Sequence, residues 1–264
     1  MTLPATSPIP VVRILAEVGR LHWQHALVFL AAAALYAFPV TMILSPLADT
    51  LMGLQSQHMP TPEQMERLGS QGLLAALVIP VLTAALFWFW VRLTLMGPRA
   101  GWRHEGAGRS ILAVLQLAGL MVLALIAAAI GVFPLTLLLG LLGQSTVVQF
   151  LTFLVISFGT CLAYAVLSRR LVETALELPR TSAPPAVAGF EPHLRLAALF
   201  TAVTFGLFLV QSIVTMALTG ANATLSVKVA TGILSTATMT IYASIHAIVY
   251  RMRTVPPRQP MAGS

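Results

Sequence analysis

The chain has 264 residues, of which 58% are apolar and 9% charged, and its mean hydropathy is +0.88. A soluble domain carries about 25% charged residues, so this composition excludes a soluble globular protein. Fifteen basic and eight acidic residues leave a formal charge of +7. The basic residues are scattered between apolar runs and make no continuous patch able to grip nucleic acid, which is not expected as a partner.

The amino terminus, MTLPATSPIP, has no basic residue before the first apolar stretch and no evident cleavage site, so it is expected to stay in the mature protein. From Val11 to His22, Arg13, Glu17 and Arg20 recur at i, i+4, i+7, while Val11, Ile14, Leu15, Val18 and Leu21 take the other face. That spacing predicts an N-terminal segment, 1–25, whose amphipathic helix lies in the membrane interface with Trp23 at headgroup depth.

A hydrocarbon core of about 30 Å needs about 20 apolar residues in a helix. Six stretches meet this: residues 26–45, 72–96, 111–133, 147–167, 196–218 and 229–250. They predict an all-α fold, a polytopic membrane helix bundle of six transmembrane helices over 26–250. A proline-rich tail, 251–264, is expected to be disordered.

Pro39 should kink the first span and Pro46 help end it, leaving Ala48 to Gln71 as the longest external loop. In the second span, Trp88, Trp90 and Arg92 lie at one end. The rings are expected to anchor at the interface and Arg92 to snorkel to the headgroups. A third helix unbroken from Ile111 to Gly143 would be about 50 Å long, so a break is expected at Gly131 to Pro134. Leu135 to Leu142 would then run along the outer interface or dip in as a re-entrant piece. After the fourth span, Arg169, Arg170, Glu173 and Glu177 carry the helix on to Pro179, where TSAPPAVAGF begins a flexible linker. The lone cysteine, Cys161, sits in an apolar run as a small hydrophobe.

Basic loops stay cytoplasmic. With the amino terminus inside, thirteen basic residues fall on one side, and only Arg67 and Lys228 on the other. Both termini are therefore expected in the cytoplasm. Arginine in great excess over lysine, with abundant Ala and Leu, points to a GC-rich bacterial genome and hence to the bacterial plasma (inner) membrane.

No Asp, Glu or Lys lies inside a proposed span, which counts against an ion-coupled pump. HExxH, CxxC and a Gly-rich phosphate cradle are missing. A Ser157–His246 dyad would fall in the spans that carry one in rhomboid proteases. Ser157, however, lies about 15 Å from the outer face and His246 about 26 Å, a gap that a hydrogen bond of about 3 Å cannot bridge. His22 and His25 share a helix face, but without Cys or carboxylate partners no metal or other cofactor is expected. Gly232, Thr236, Thr240, Ser244 and His246 form a face of the sixth span suited to close helix packing. Alternatively this face lines a polar cavity with Gln116, Gln149, Gln211 and Thr215, because an unpaired amide in hydrocarbon is costly.

The order of a basic helix, Trp23, a proline-bearing span and then WFWVRLTLMGPR ahead of a second basic segment resembles uncharacterised six-span bacterial membrane proteins related to the membrane domain of glycerophosphoryl diester phosphodiesterases. The resemblance implies a helical module with no catalytic centre of its own, so no catalytic residue is assigned. The leading expectation is a non-enzymatic accessory, assembly or lipid-organising bundle. Anionic phospholipids are its expected partners, held by Arg13, Arg20, Arg99, Arg103, Arg169, Arg170, Arg251 and Arg253 at about 1 kcal/mol per basic residue near the surface. The alternative is the permease subunit of an ABC-2-like exporter, with the stretch from Arg169 to Leu178 contacting an ATPase partner. The loop from Thr219 to Lys228 is short for that family.

Overall fold

The computed structural model describes residues 10–55, 61–97, 107–141, 143, 145–178, 190–218 and 223–254. Among these residues there are seven helices and no strand: α1 (Val11–Gln24), α2 (Ala26–Gln55), α3 (Pro62–Met96), α4 (Ala107–Leu141), α5 (Thr146–Ala175), α6 (Phe190–Leu218) and α7 (Ala223–Thr254). Six of them, α2 to α7, are long and apolar enough to cross a membrane. The chain is thus an all-α, multi-pass membrane bundle, and each expected span corresponds to one helix.

Helix α7 is the axis. It touches α1, α2, α3, α5 and α6, and 56% of its most apolar stretch is buried, against at most 22% in any other span. It is also the least apolar of the six spans. A central helix can be so because its neighbours, not lipid, face its hydroxyls. Gly232 shows why small residues are needed there: a Cβ at this position would lie 2.6 Å from Cβ of Ala37 on α2. Further along α7, Ala243 to Val249 are all buried.

Helix α1 does not stand apart from the bundle. Ile14 and Val18 are buried in a cluster with Cys161 and Ala165 of α5, Leu196 and Phe200 of α6, and Ile245 and Ile248 of α7. Val12 and Trp23 point outward and are exposed. A single residue, His25, separates α1 from α2.

Four local expectations are corrected. Helix α2 continues through both Pro39 and Pro46 to Gln55, so Pro46 does not end it. A proline removes one backbone donor, but the residues on either side keep their helical bonds and helical geometry persists. The expected loop from Ala48 to Gln71 is mostly helical, because α3 already starts at Pro62. Its start is built by a capping box: the Thr61 hydroxyl accepts from the Gln64 amide at 3.3 Å and the Gln64 side chain accepts from the Thr61 amide at 2.9 Å. Thr-Pro-Glu-Gln carried that signal in the sequence.

Helix α4 likewise runs unbroken through Pro134 to Leu141. The break at Gly131 to Pro134 and the re-entrant piece are therefore wrong, for the reason that applies to α2. Thirty-five residues of helix are about 52 Å long, so α4 exceeds a hydrocarbon core of about 30 Å. Leu142 lies outside the described residues. Helix α5 ends at Ala175, short of Pro179. Leu178 N–H bonds to the Glu173 carbonyl at 3.0 Å and Glu177 N–H to the Thr174 carbonyl at 3.1 Å, with Glu177 in the left-handed region at φ 56°. This is a Schellman ending with glutamate where glycine is usual. The linker after Pro179 and the tail beyond Thr254 lie outside the described residues.

The close contact of α2 with α7 is testable. Gly232→Leu should destabilise the bundle by about 1–3 kcal/mol, because a packed helix must move. Gly119→Ala, where an added Cβ meets nothing within 4 Å, should be neutral or gain about 0.5–1 kcal/mol. Thermal unfolding of the two purified variants in detergent provides the comparison, and equal melting would refute the packing role.

Candidate functional site

The polar groups of the bundle gather toward one end, where α3, α5 and α7 finish and α4 and α6 begin. Thr236, Thr240, Ser244 and His246 of α7 are all buried. Thr236 turns its hydroxyl back to the Gly232 carbonyl at 2.9 Å. The next two positions reach across. Trp90 of α3 donates its indole N–H to the Ser244 hydroxyl at 2.8 Å, and Nε2 of His22 on α1 lies 3.0 Å from the Thr240 hydroxyl. The His22 ring lies 5.0 Å from Trp90 and 5.8 Å from Phe29, centroid to centroid.

The bonds of His22 define its proton inventory. Nδ1 lies 2.9 Å from the Val18 carbonyl; a carbonyl only accepts, so Nδ1 carries a proton. In the neutral ring Nε2 must then accept from the Thr240 hydroxyl. That hydroxyl is also 3.0 Å from the Thr236 carbonyl and 3.1 Å from that of Ala237, and it has one proton for all of them. A protonated ring would donate from Nε2 and leave the hydroxyl proton to its own helix. Burial holds the His22 pKa below its ordinary value, opposed by the bond to Val18 and assisted by nearby His25. The neutral ring is therefore the ground state at pH 7, with Thr240 as the donor.

On the other side of α7, Nδ1 of His246 meets the Ser168 hydroxyl at 2.5 Å. The ring is enclosed by Phe200 and Phe87, at 4.6 and 5.6 Å. The serine beside His246 is thus Ser168, eleven residues after Ser157. The contact is closed to solvent, with Ser168 6% and His246 1% exposed. Tyr242 donates to the Phe200 carbonyl at 3.1 Å and also meets the Thr204 hydroxyl. Among the described residues, no three His, Cys, Asp or Glu side chains converge as metal ligands.

Beneath this polar core lies a rim of ion pairs. Arg92 does not snorkel. It is 8% exposed, with Nη1 donating to the Glu177 carboxylate at 3.1 Å and its guanidinium 5.0 Å from the Trp88 ring centre. The Ser110 hydroxyl donates to the same carboxylate oxygen at 3.1 Å, so one carboxylate joins α3, α4 and the end of α5. The left-handed turn of Glu177 is what aims it there. Glu17 of α1 is shared by Arg251, in direct contact, and Arg20 at 3.8 Å. Arg169 pairs with Glu173 at 2.6 Å and Arg195 with Glu191 at 2.5 Å.

The expected cavity set is dispersed. Gln116 and Gln149 are exposed on α4 and α5, and Gln211 is half-buried on α6, while Gly232, Thr236, Thr240, Ser244 and His246 of α7 are buried. The Thr215 side chain lies outside what is described, as do Arg99 and Arg103. Of the other expected lipid residues, Arg13 and Arg253 are exposed, and Arg170 lines a groove between α4 and α5. Sequence reasoning missed Ser168 and gave Trp90 and Glu177 other roles, an interface anchor and a position in an extended helix, whereas Trp90 is 1% exposed and Glu177 lies past the helix end. An indole N–H inside a span needs a partner, and that was the available signal.

No protein-family model matches the chain, and comparison with curated proteins and with solved structures finds no match.

Two experiments test this geometry. Glu177→Ala leaves Arg92 buried without its carboxylate. Because Glu177 keeps 22% side-chain exposure, the loss should be about 2 kcal/mol, less than the roughly 3–5 kcal/mol of a fully buried pair. The double variant Arg92→Met/Glu177→Ala should recover most of it; unfolding midpoints of the three chains decide. The second experiment concerns acid. The unfolded chain binds a proton at His22 more readily than the folded one, so stability should fall as pH drops below about 6.5. His22→Gln should flatten that part of the profile of melting temperature against pH, and an unchanged profile would remove His22 from the account.

Proposed function

We propose that this protein is a non-enzymatic accessory or lipid-organising bundle of a bacterial inner membrane, with both termini cytoplasmic and its arginine rim on anionic headgroups. The observation that carries the reading is the charge of one end. Arg13, Arg20, Arg92, Arg109, Arg169, Arg170, Arg195, Arg251 and Arg253 stand at or near helix ends on that side, against four carboxylates, Glu17, Glu173, Glu177 and Glu191. Five guanidiniums exceed what the rim's own carboxylates can neutralise. Arg67 and Lys228 belong to the second turns of α3 and α7 at the opposite end. Cytoplasmic leaflets carry the anionic lipid and attract such a surface.

The enclosure of Ser168 and His246 supports the non-enzymatic part, since a nucleophile needs space for its substrate. The resemblance to a phosphodiesterase membrane domain is consistent with a module that lacks chemistry of its own. The rim residues Arg169 and Glu177, within the proposed ATPase contact, are already engaged by Glu173 and Arg92, which favours the lipid reading over the exporter reading.

Reconstituted into vesicles of mixed phosphatidylglycerol and phosphatidylcholine, the protein should enrich phosphatidylglycerol around itself several-fold at low salt and lose the enrichment at high salt. Equal retention of the two lipids would sink this proposal. Labelling of both chain ends in intact cells should find both protected.

A further inference from the structure

A groove of about 520 Å³ runs between α4 and the final turns of α5. Arg109 and Arg170 stand at its mouth, and Leu112, Gln116, Leu120 and Leu123 line it further along α4. Glu173 and Glu177 also border it, but both carboxylates are engaged, by Arg169 and by Arg92 with Ser110. Arg109 and Arg170 have no carboxylate or hydrogen-bond partner among the described residues. The groove therefore offers two unneutralised guanidiniums and no free carboxylate.

Residues 109, 112, 116, 120 and 123 follow one another at three or four positions, so they form a single stripe on α4. Along that stripe the chemistry changes in a fixed order. Arg109 comes first and Leu112 about 4–5 Å deeper, the Gln116 amide stands about 10 Å deeper, and Leu120 and Leu123 follow, ending about 21 Å deeper. The Gln116 side chain is exposed and has no partner among the described residues, a costly state in a bilayer. Charge, then a hydrogen-bonding amide, then hydrocarbon is the order of a phospholipid met from its headgroup: phosphate, glycerol esters, acyl chain.

We propose that this groove holds one anionic phospholipid of the bilayer. Arg109 and Arg170 bind its phosphate, Gln116 donates to glycerol-ester oxygens, and Leu120 and Leu123 lie along an acyl chain. The proposal rests on the lipid-rim reading and narrows it from a diffuse surface to one site. Discrimination against choline or ethanolamine lipids follows from the balance of charge, because each bordering carboxylate already has an arginine partner and Arg109 and Arg170 leave the groove with an excess of positive charge against an ammonium group.

The test uses the full chain purified in mild detergent, with bound lipid counted by native mass spectrometry after incubation with phosphatidylglycerol or phosphatidylcholine. The wild type should retain about one phosphatidylglycerol. Arg109→Gln/Arg170→Gln should weaken that retention about tenfold or more. Gln116→Leu should weaken it several-fold, and Arg67→Gln at the opposite end should not change it. All four side chains are exposed, and unaltered melting temperatures will show that the variants fold. Equal retention of phosphatidylcholine, full retention by the double variant, or displacement by glycerol 3-phosphate at the lipid's own concentration would each overturn the proposal, the last by assigning the groove to a soluble phosphate. If the double variant keeps its lipid while vesicle enrichment persists, the groove fails and the rim stands. If vesicle enrichment is absent from the wild type, the rim reading fails first.

Discussion

The structure depends on the absence of water from the bilayer, which leaves each backbone group to its own helix and each polar side chain to a neighbouring one. Helix α7 answers both demands. Its glycine and hydroxyl face lets α2 approach at Gly232 and gives α1 and α3 hydrogen-bond partners at Thr240 and Ser244. A uniformly leucine-rich helix in its place would bring neither close approach nor any direction to the contact, since lipid tails are as apolar as leucine.

The polar contacts are concentrated in the half of the bundle nearest the basic end. His22, Trp90, Ser168, Ser244 and His246 join α1, α3, α5 and α7 there, and beyond them the Arg92–Glu177–Ser110 node ties in α4. The Thr236 hydroxyl bonds within its own helix. Directed bonds also join α2 to α3, whose Tyr36 and Thr83 hydroxyls lie 3.0 Å apart. Helix α1 is among the helices joined in this way. With Ile14 fully buried and Glu17 on Arg251, it closes the bundle from beneath as well as offering a basic surface.

Charge at the rim is divided by the same packing. Arg92, Arg169, Arg195 and Arg251 each meet a carboxylate of the chain, whereas Arg109 and Arg170 do not. Counting arginines in the sequence treats them as equals. Arg92 and Arg251 become struts between helices only when the helices meet and Glu177 turns back at the end of its own, whereas Arg169 and Arg195 pair within single helices.

Six apolar segments, their helical state and the gathering of arginine at alternate connections were legible from residue order, because segment length and charge are local properties set against a slab of fixed thickness. Helix continuity through Pro46 and Pro134 was not, since a proline removes only one backbone donor and the residues on either side keep their helical bonds. Nor was the fate of individual polar groups. The depth count separated Ser157 from His246, but only the fold brings Ser168 to that ring and Trp90 to Ser244, 78 and 154 residues apart in the chain. Arg92 could be placed near a membrane face by counting, yet whether it reached water or a carboxylate depended on where α5 stopped. The chain by itself determined how many helices cross and which end is charged. Local i, i+3 and i, i+4 spacing encodes the pairs of Arg20 with Glu17, Arg169 with Glu173 and Arg195 with Glu191. Tertiary packing decided that Glu177 meets Arg92 and Glu17 meets Arg251, because those pairs need two helices to come together and no local pattern encodes that meeting.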